Sequence, residues 1–299
     1  MTTDLAPIAL FTFKRPEHTQ RTLEALARNP EFNSSALHVF CDGSRRPNED
    51  EAVQVTRAIV EGWHHPEKKI HYANQNMGLS KSIRAGVSEI CKMYGKVIVI
   101  EDDLAVASGF LSYMNTALNL YADDARVMQI SGHNFPALFD NREDAFFLRM
   151  TTSWGWGTWQ RAWDQQLLDV EYAISVTKSI IERFKFDLNG AYPFSRMLKD
   201  QLRGLNDSWA IWWYLNIYRR NGLTLFPKVS LVRNDGFDGT GTHCGTDGPS
   251  GVLLMDHQVQ QFPSEIEESL SARQVMRRHL IGERLWKRYA KDTFFRILG

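Results

Sequence analysis

The chain lacks any apolar run approaching the ~20 residues that a bilayer span requires, so no segment reads as a transmembrane helix. No basic start leads into an apolar stretch, and the expectation is therefore a cytoplasmic protein without a secretory signal. Cysteine is scarce. Cys41, Cys91 and Cys244 stand apart with no C-x-x-C pair, which argues against structural zinc and fits a reducing compartment. Neither charge prevails: 35 Lys and Arg balance 35 Asp and Glu, so no nucleic-acid partner is expected. There is no G-x-G-x-x-G, which argues against a dinucleotide-binding dehydrogenase. Internal repeats and linkers are also missing, and 299 residues suffice for one compact domain.

What the chain does have is a run of four β-branched residues, Val97-Ile98-Val99-Ile100, leading straight into Glu101-Asp102-Asp103. Apolar on both faces, the run predicts a buried strand of a parallel sheet. Its carboxylates then stand at the strand's C-terminal end, where open α/β sheets bind ligands. Three acids this close repel one another unless a cation lies among them. Mg²⁺ or Mn²⁺ carrying a diphosphate would satisfy them, because hard cations prefer carboxylate and phosphate oxygen. An acidic turn after a buried strand is the plainer reading.

The first hundred residues alternate strand and helix. Strands are predicted at 8–13, 37–41 and 69–72. Helices are expected from Pro16, from Glu49 to Gly62, and from a cap at Ser80. This rhythm implies right-handed crossovers and a largely parallel sheet. A helix from Ser108 and strands at 127–131, 145–150, 223–226 and 229–232 extend it into a mixed sheet. Residues 151–221 read as helical and Trp-rich. Six glycines between Gly236 and Gly251 predict a mobile loop over a site. The expected organisation is a domain over 1–255, in halves 1–131 and 132–255, followed by a helical tail over 256–299. That tail is basic and amphipathic. Its two readings are a face on the anionic inner membrane and a helix docked on its own domain.

Three further features stand where the same sheet edge is expected. Lys14-Arg15 follows the first strand, Asp42 follows the second, and Asn76-Met77-Gly78 opens the helix that carries Lys81 and Arg84. Cations, a lone carboxylate and a helix N-terminus together suit a nucleoside diphosphate.

In this order the motifs resemble the nucleotide-sugar glycosyltransferases of GT-A fold, and more narrowly bacterial members related to animal N-acetylglucosaminyltransferase I. The resemblance spans roughly residues 6 to 245 and is strongest at Phe11 to Leu26 and at Ile100-Glu101-Asp102-Asp103-Leu104. It implies a Rossmann-like mixed sheet flanked by helices, with a helical acceptor region. It further implies that Asp103 holds Mn²⁺ or Mg²⁺, while Asp102 and Glu101 touch ribose and donor sugar. Arg15 and Asp42 would hold uridine, so a UDP-sugar is the expected donor. The Trp154–Gly157 segment corresponds to a loop beneath the sugars, with Trp156 in the donor site, though two core aromatics around a glycine turn read equally well. Asn206-Asp207-Ser208-Trp209 resembles the segment that supplies the catalytic base. Asp207 is its acid, Ser208 departs from the family pattern, and a helix cap is the competing role of Asp207. His243 resembles a metal or diphosphate ligand in the closing loop, and Lys81 or His243 would add charge against the leaving group. The implied reaction is an inverting sugar transfer to a glycan or lipid-linked hydroxyl, of the kind that builds a surface polysaccharide. The alternatives are an inactive sugar- or partner-binding module and a sugar nucleotidyltransferase. The latter is disfavoured because the loop after the first strand has no glycine.

Overall fold

The computed structural model describes residues 4–164, 168–237, 254 and 257–298, with side chains as far as 285. In chain order the elements are β1 (Ile8–Thr12), α1 (Pro16–Ala27), β2 (Leu37–Cys41), α2 (Asp50–Gly62), β3 (Lys68–Tyr72), α3 (Leu79–Tyr94), β4 (Lys96–Glu101), β5 (Leu104–Val106) and α4 (Phe110–Leu120). They continue as β6 (Val127–Ser131), β7 (Ala145–Leu148), β8 (Trp156–Trp159), α5 (Gln160–Trp163), α6 (Val170–Lys178), α7 (Ile180–Phe186), α8 (Phe194–Leu202) and α9 (Trp209–Arg219). The last are β9 (Leu223–Pro227), β10 (Val232–Asn234) and α10 (Leu270–Leu298). Among the described residues, eight strands form one sheet in the order β3-β2-β1-β4-β8-β6-β9-β7. The first four are parallel, β8 runs against β4 and β6, and β7 runs against β9. This is a mixed α/β sheet flanked by helices, as the sequence implies.

Period-two alternation sorts the central strands onto two cores. Ile8 and Leu10 of β1, with Ile98 and Ile100 of β4, face a cluster with Leu23 of α1 and Leu111 of α4. Ala9, Phe11, Val97 and Val99 face Ile83 and Val87 of α3, together with four tryptophans, Trp156, Trp163, Trp209 and Trp213. Both faces of β4 are covered, which explains its continuous apolar run. A third cluster joins β7 and β9 to α6, α8, α9 and the first half of α10.

Several expectations are corrected. Residues 156–159 are not helical but form β8 in mid-sheet, paired with β4 and β6. Trp-Gly-Thr-Trp has no β-branched run to announce a strand, and the pairing of its neighbours decides it. The strand expected at 229–232 starts only at Val232, where β10 pairs with β5, an element the sequence did not signal. Helix α4 begins at Phe110 rather than Ser108. Gly78 caps α3 with a φ of 77°, and Ser80 lies buried within the first turn. The C-terminal segment packs on the rest of the chain between Ser269 and Arg284. Ser269 N–H donates to Phe147 O, and Ala272, Met276 and Leu280 enter the third cluster. Arg277 and Arg284 of α10 donate to the carbonyls of Leu188 and Gly190, so these cations face the body of the protein.

Candidate functional site

Because β1, β2 and β4 are parallel neighbours, their C-terminal ends share one edge. That edge gathers Phe13-Lys14-Arg15, Asp42 and the acidic triplet. The antiparallel β8 begins there, since Trp156 pairs with Val99.

The triplet is sunk into this edge. Phe13 N–H donates to Asp102 Oδ2 at 3.0 Å, and the Thr22 hydroxyl donates to the Asp102 carbonyl at 2.9 Å, which ties the turn to α1. Arg15 Nη1 donates to Asp103 Oδ2 at 2.8 Å. Arg15 also reaches the Gly236 carbonyl at 3.3 Å, while Asp235 N–H donates to the Asp103 carbonyl at 2.8 Å. The strap after β10 thus crosses directly over Asp103. A Cβ at position 236 would collide with the Asp103 carboxylate, so any larger residue there would force that carboxylate to shift.

Electrostatics follow from that burial. Desolvation, then Asp103 and Asp102, hold the Glu101 carboxyl well above the ordinary carboxylate range. Desolvation and Asp103 push Asp102 up to about 7, against the pull of the Phe13 N–H and Arg15. Desolvation raises Asp103 too, although the Arg15 guanidinium counters it. Asp103 Oδ1 is buried without a hydrogen-bond partner among the described residues. A buried, unsatisfied carboxylate oxygen beside two further acids suits a hard cation. No cluster of three or more His, Cys, Asp or Glu ligands occurs among the described residues. The fit is therefore to a cation held by one or two carboxylates and completed by substrate phosphates, as is common for Mg²⁺.

The remaining sequence candidates divide. The Asp42 carboxylate is filled by its own loop. It accepts from Gly43 N–H (2.8 Å), Met77 N–H (2.8 Å), Gly78 N–H (2.9 Å) and Asn76 Nδ2 (3.0 Å). Asn76 Nδ2 also donates to the Gly43 carbonyl. These two residues build the loop that starts α3, and a uridine would have to displace those bonds to reach either side chain. Lys81 stands exposed in the first turn of α3. Trp156 is fully buried, stacked on Trp209 with ring centroids 4.9 Å apart, and cannot face a sugar. Trp154, two residues earlier, is half-buried. Its ring lies 4.4 Å from His133 and 5.8 Å from Phe237 on the strap. Asp207 is exposed one residue before the cap of α9. The cap is Ser208, whose hydroxyl accepts from Ile211 N–H, so the capping alternative for Asp207 is set aside. His243 and most of the glycine-rich loop lie outside the described residues.

Nothing in the sequence pattern singles out His133. It is buried beside Trp154, with Nδ1 3.1 Å from the Ser230 hydroxyl, and desolvation lowers it to about 4, so it is neutral near pH 7. A cavity of about 580 Å³ lies at the opposite end of the sheet, between Pro7, Pro30, Glu67 and Tyr94. It is remote from these groups, and ligands of open α/β sheets bind at the other edge.

No protein-family model and no curated protein matches this chain. Among solved structures it is similar to S. aureus TarS 1-349, with 14% identity, a TM-score of 0.38, and 52% of this chain and 47% of that one covered. It is also similar to GalNAc-T7 with UDP, GalNAc and Mn²⁺, with 11% identity, a TM-score of 0.46, and 79% and 46% covered. A third is the mannosyltransferase PcManGT from Pyrobaculum calidifontis in complex with GDP-Man and Mn²⁺, with 10% identity, a TM-score of 0.39, and 74% and 72% covered. The chain spans about half the length of the first two. With these three TM-scores below 0.5, the likeness carries no functional argument, which falls to this chain's own residues.

Proposed function

We propose that this protein is a metal-dependent glycosyltransferase that moves a sugar from a nucleoside-diphosphate sugar, a UDP-sugar foremost, to a hydroxyl of a glycan or lipid-linked acceptor. One observation carries the reading: three adjacent carboxylates sunk into the end of β4, Asp102 buried and Glu101 and Asp103 nearly so, of which Asp103 keeps an oxygen without a partner among the described residues. Burial that disfavours three neighbouring charges is costly for folding alone, and such costs gather at functional sites.

In this reading Asp103 holds the cation, with Asp102 and Glu101 lining the sugar and ribose side. Bound there, Mn²⁺ or Mg²⁺ supplies Lewis-acid stabilisation of the departing diphosphate. Arg15 neutralises Asp103 in the free protein and, once released, is the cation nearest to the incoming nucleotide. Lys81 and the first N–H groups of α3 add positive potential at the same edge. Trp154 presents an indole to the sugar or acceptor. Asp207 is placed before α9, whose first residue Trp209 is locked on Trp156. As an exposed carboxylate it is the proton acceptor for an attacking hydroxyl, and an inverting displacement needs only that one base. His243 remains a proposed ligand of the diphosphate or the metal.

A panel of nucleotide sugars incubated with the protein and Mn²⁺ tests this directly. Slow metal-dependent hydrolysis of one donor is the expected result. Tight donor binding without turnover, with or without candidate acceptors, would instead indicate a sugar-binding module.

A further inference from the structure

Arg15 binds more than Asp103. Its Nη2 lies 3.3 Å from His18 Nε2 and donates to the Gly236 carbonyl at 3.3 Å, while Nη1 donates to Asp103 Oδ2 at 2.8 Å. A guanidinium carries only N–H donors and accepts no hydrogen bond. His18 Nε2 must therefore be the acceptor, which places the ring proton on Nδ1 and aims the Nε2 lone pair at the cation. Local sequence arranges this. Pro16 starts α1 with Arg15 as its cap, and positions 15 and 18, three apart, meet on one side of the first turn. His18 is 6% exposed, so packing fixes the ring where it stands.

One cation thus gathers a carboxylate oxygen from the end of β4, an imidazole nitrogen from α1 and a carbonyl oxygen from the strap after β10. Atoms of these types ligate divalent transition metals, and Asp103 Oδ1, without a partner among the described residues, is one more. His18 also stands near enough for a charge on its ring to lower the Asp103 carboxyl. Its Nε2 is already in the form that ligation needs, since a metal binds the unprotonated nitrogen.

We propose that His18 Nε2 is a second side-chain ligand of the divalent cation on Asp103, with the Gly236 carbonyl as a third donor, and that Arg15 keeps their place in the free protein. Resting on the metal-dependent reading above, this set adds a nitrogen to it. Two side chains and a carbonyl agree with the absence of a three-side-chain cluster among the described residues. The remaining positions fall to phosphate oxygens and water. The nitrogen also selects the ion. Mg²⁺ is served best by oxygen alone, whereas imidazole suits transition metals, so Mn²⁺ is favoured over Mg²⁺.

The test is pulsed electron paramagnetic resonance of Mn²⁺ bound together with UDP to the full chain carrying ¹⁵N-histidine. The expected result is a histidine nitrogen coupling in the wild-type chain that diminishes in His18→Gln. Because the ring is buried, His18→Asn serves as a parallel variant, with circular dichroism checking both. Calorimetry in the presence of UDP should show either variant binding Mn²⁺ about tenfold or more weakly, the range that even an outer-shell partner commands. Mg²⁺ binding should change much less. Wild-type Mn²⁺ without a histidine coupling, or with one that both His18 variants keep, overturns the ligand assignment and leaves Asp103 as the metal site. A coupling lost in His243→Gln instead overturns it in the same way. Failure of Mn²⁺ to bind with UDP at all overturns the assignment and the metal-dependent reading together.

Discussion

Arg15 and Asp103 hold each other across 2.8 Å, although the family resemblance implies a different ligand for each. Both side chains are nearly buried, at 11% and 12% exposure. The guanidinium thus supplies, within the chain, the positive charge that the acidic triplet needs. In the proposed reaction the incoming donor and cation replace this pair.

Removing one partner of a buried ion pair typically costs about 3–5 kcal/mol, because the other charge is stranded. Arg15→Met is therefore expected to lower stability by about that amount in EDTA. It should also raise the affinity for Mn²⁺ alone, since the cation no longer competes with an internal one. Denaturant titration and metal calorimetry check both effects. A variant as stable as wild type in EDTA, with unchanged Mn²⁺ affinity, would show that the pair does not control the site.

The fold was legible where local pattern and burial agree. The β-branched run of β4, the Pro16 start of α1 and the helical spacing of α3 all fall close to where the sequence places them. The edge cluster of Arg15 and the triplet was legible for the same reason, as parallel strands bring their ends together. Strand β8 was not, because Trp-Gly-Thr-Trp carries helix and strand preferences alike and only its neighbours select it. Trp156 illustrates the cost: a tryptophan beside glycine reads as a binding surface, yet tertiary packing buries it and leaves Trp154 only half-buried. Asp42 looked free for a ligand because three of the four donors that fill it belong to residues 76–78, more than thirty positions away.

The two tryptophans should therefore separate cleanly. Trp156→Ala removes a fully buried indole and is expected to destabilise the protein by about 3–5 kcal/mol. Trp154→Ala should be milder in stability, with its main effect on KM for donor or acceptor. Thermal unfolding alongside steady-state kinetics checks this, and a Trp156→Ala variant of wild-type stability would contradict the packing described.

The pH dependence has a defined sign. Asp102 is raised in the fold from 3.8 to about 7. Its contribution to stability is therefore complete below about pH 4 and is lost as pH rises through 7. At about 1.4 kcal/mol per pH unit, this amounts to a few kcal/mol. In EDTA the Tm should fall between pH 5 and 8, and Asp102→Asn should flatten that fall. Mn²⁺ should restore more stability at pH 8 than at pH 5. A Tm in EDTA that rises over this range would oppose the account.

Asp207 and Ser208 have separable roles. Asp207→Asn should cut kcat by about 10²–10⁴-fold with donor affinity and Tm unchanged, because an exposed residue outside the cap carries no packing. Ser208→Ala removes the cap of α9 and should lower stability by about 1 kcal/mol while leaving most of the turnover. The reverse pattern would move the base elsewhere.

The central claim is that Asp103 joins a divalent cation to a nucleoside diphosphate. Isothermal calorimetry of UDP binding, in Mn²⁺ and in EDTA, for the wild-type chain and Asp103→Asn, tests it most directly. Tight binding is expected only for wild type in Mn²⁺, and weak binding in the other three combinations, with circular dichroism confirming that the variant is folded. Equal UDP affinity in Mn²⁺ and EDTA, or an Asp103→Asn variant that binds as tightly as wild type in Mn²⁺, would contradict it.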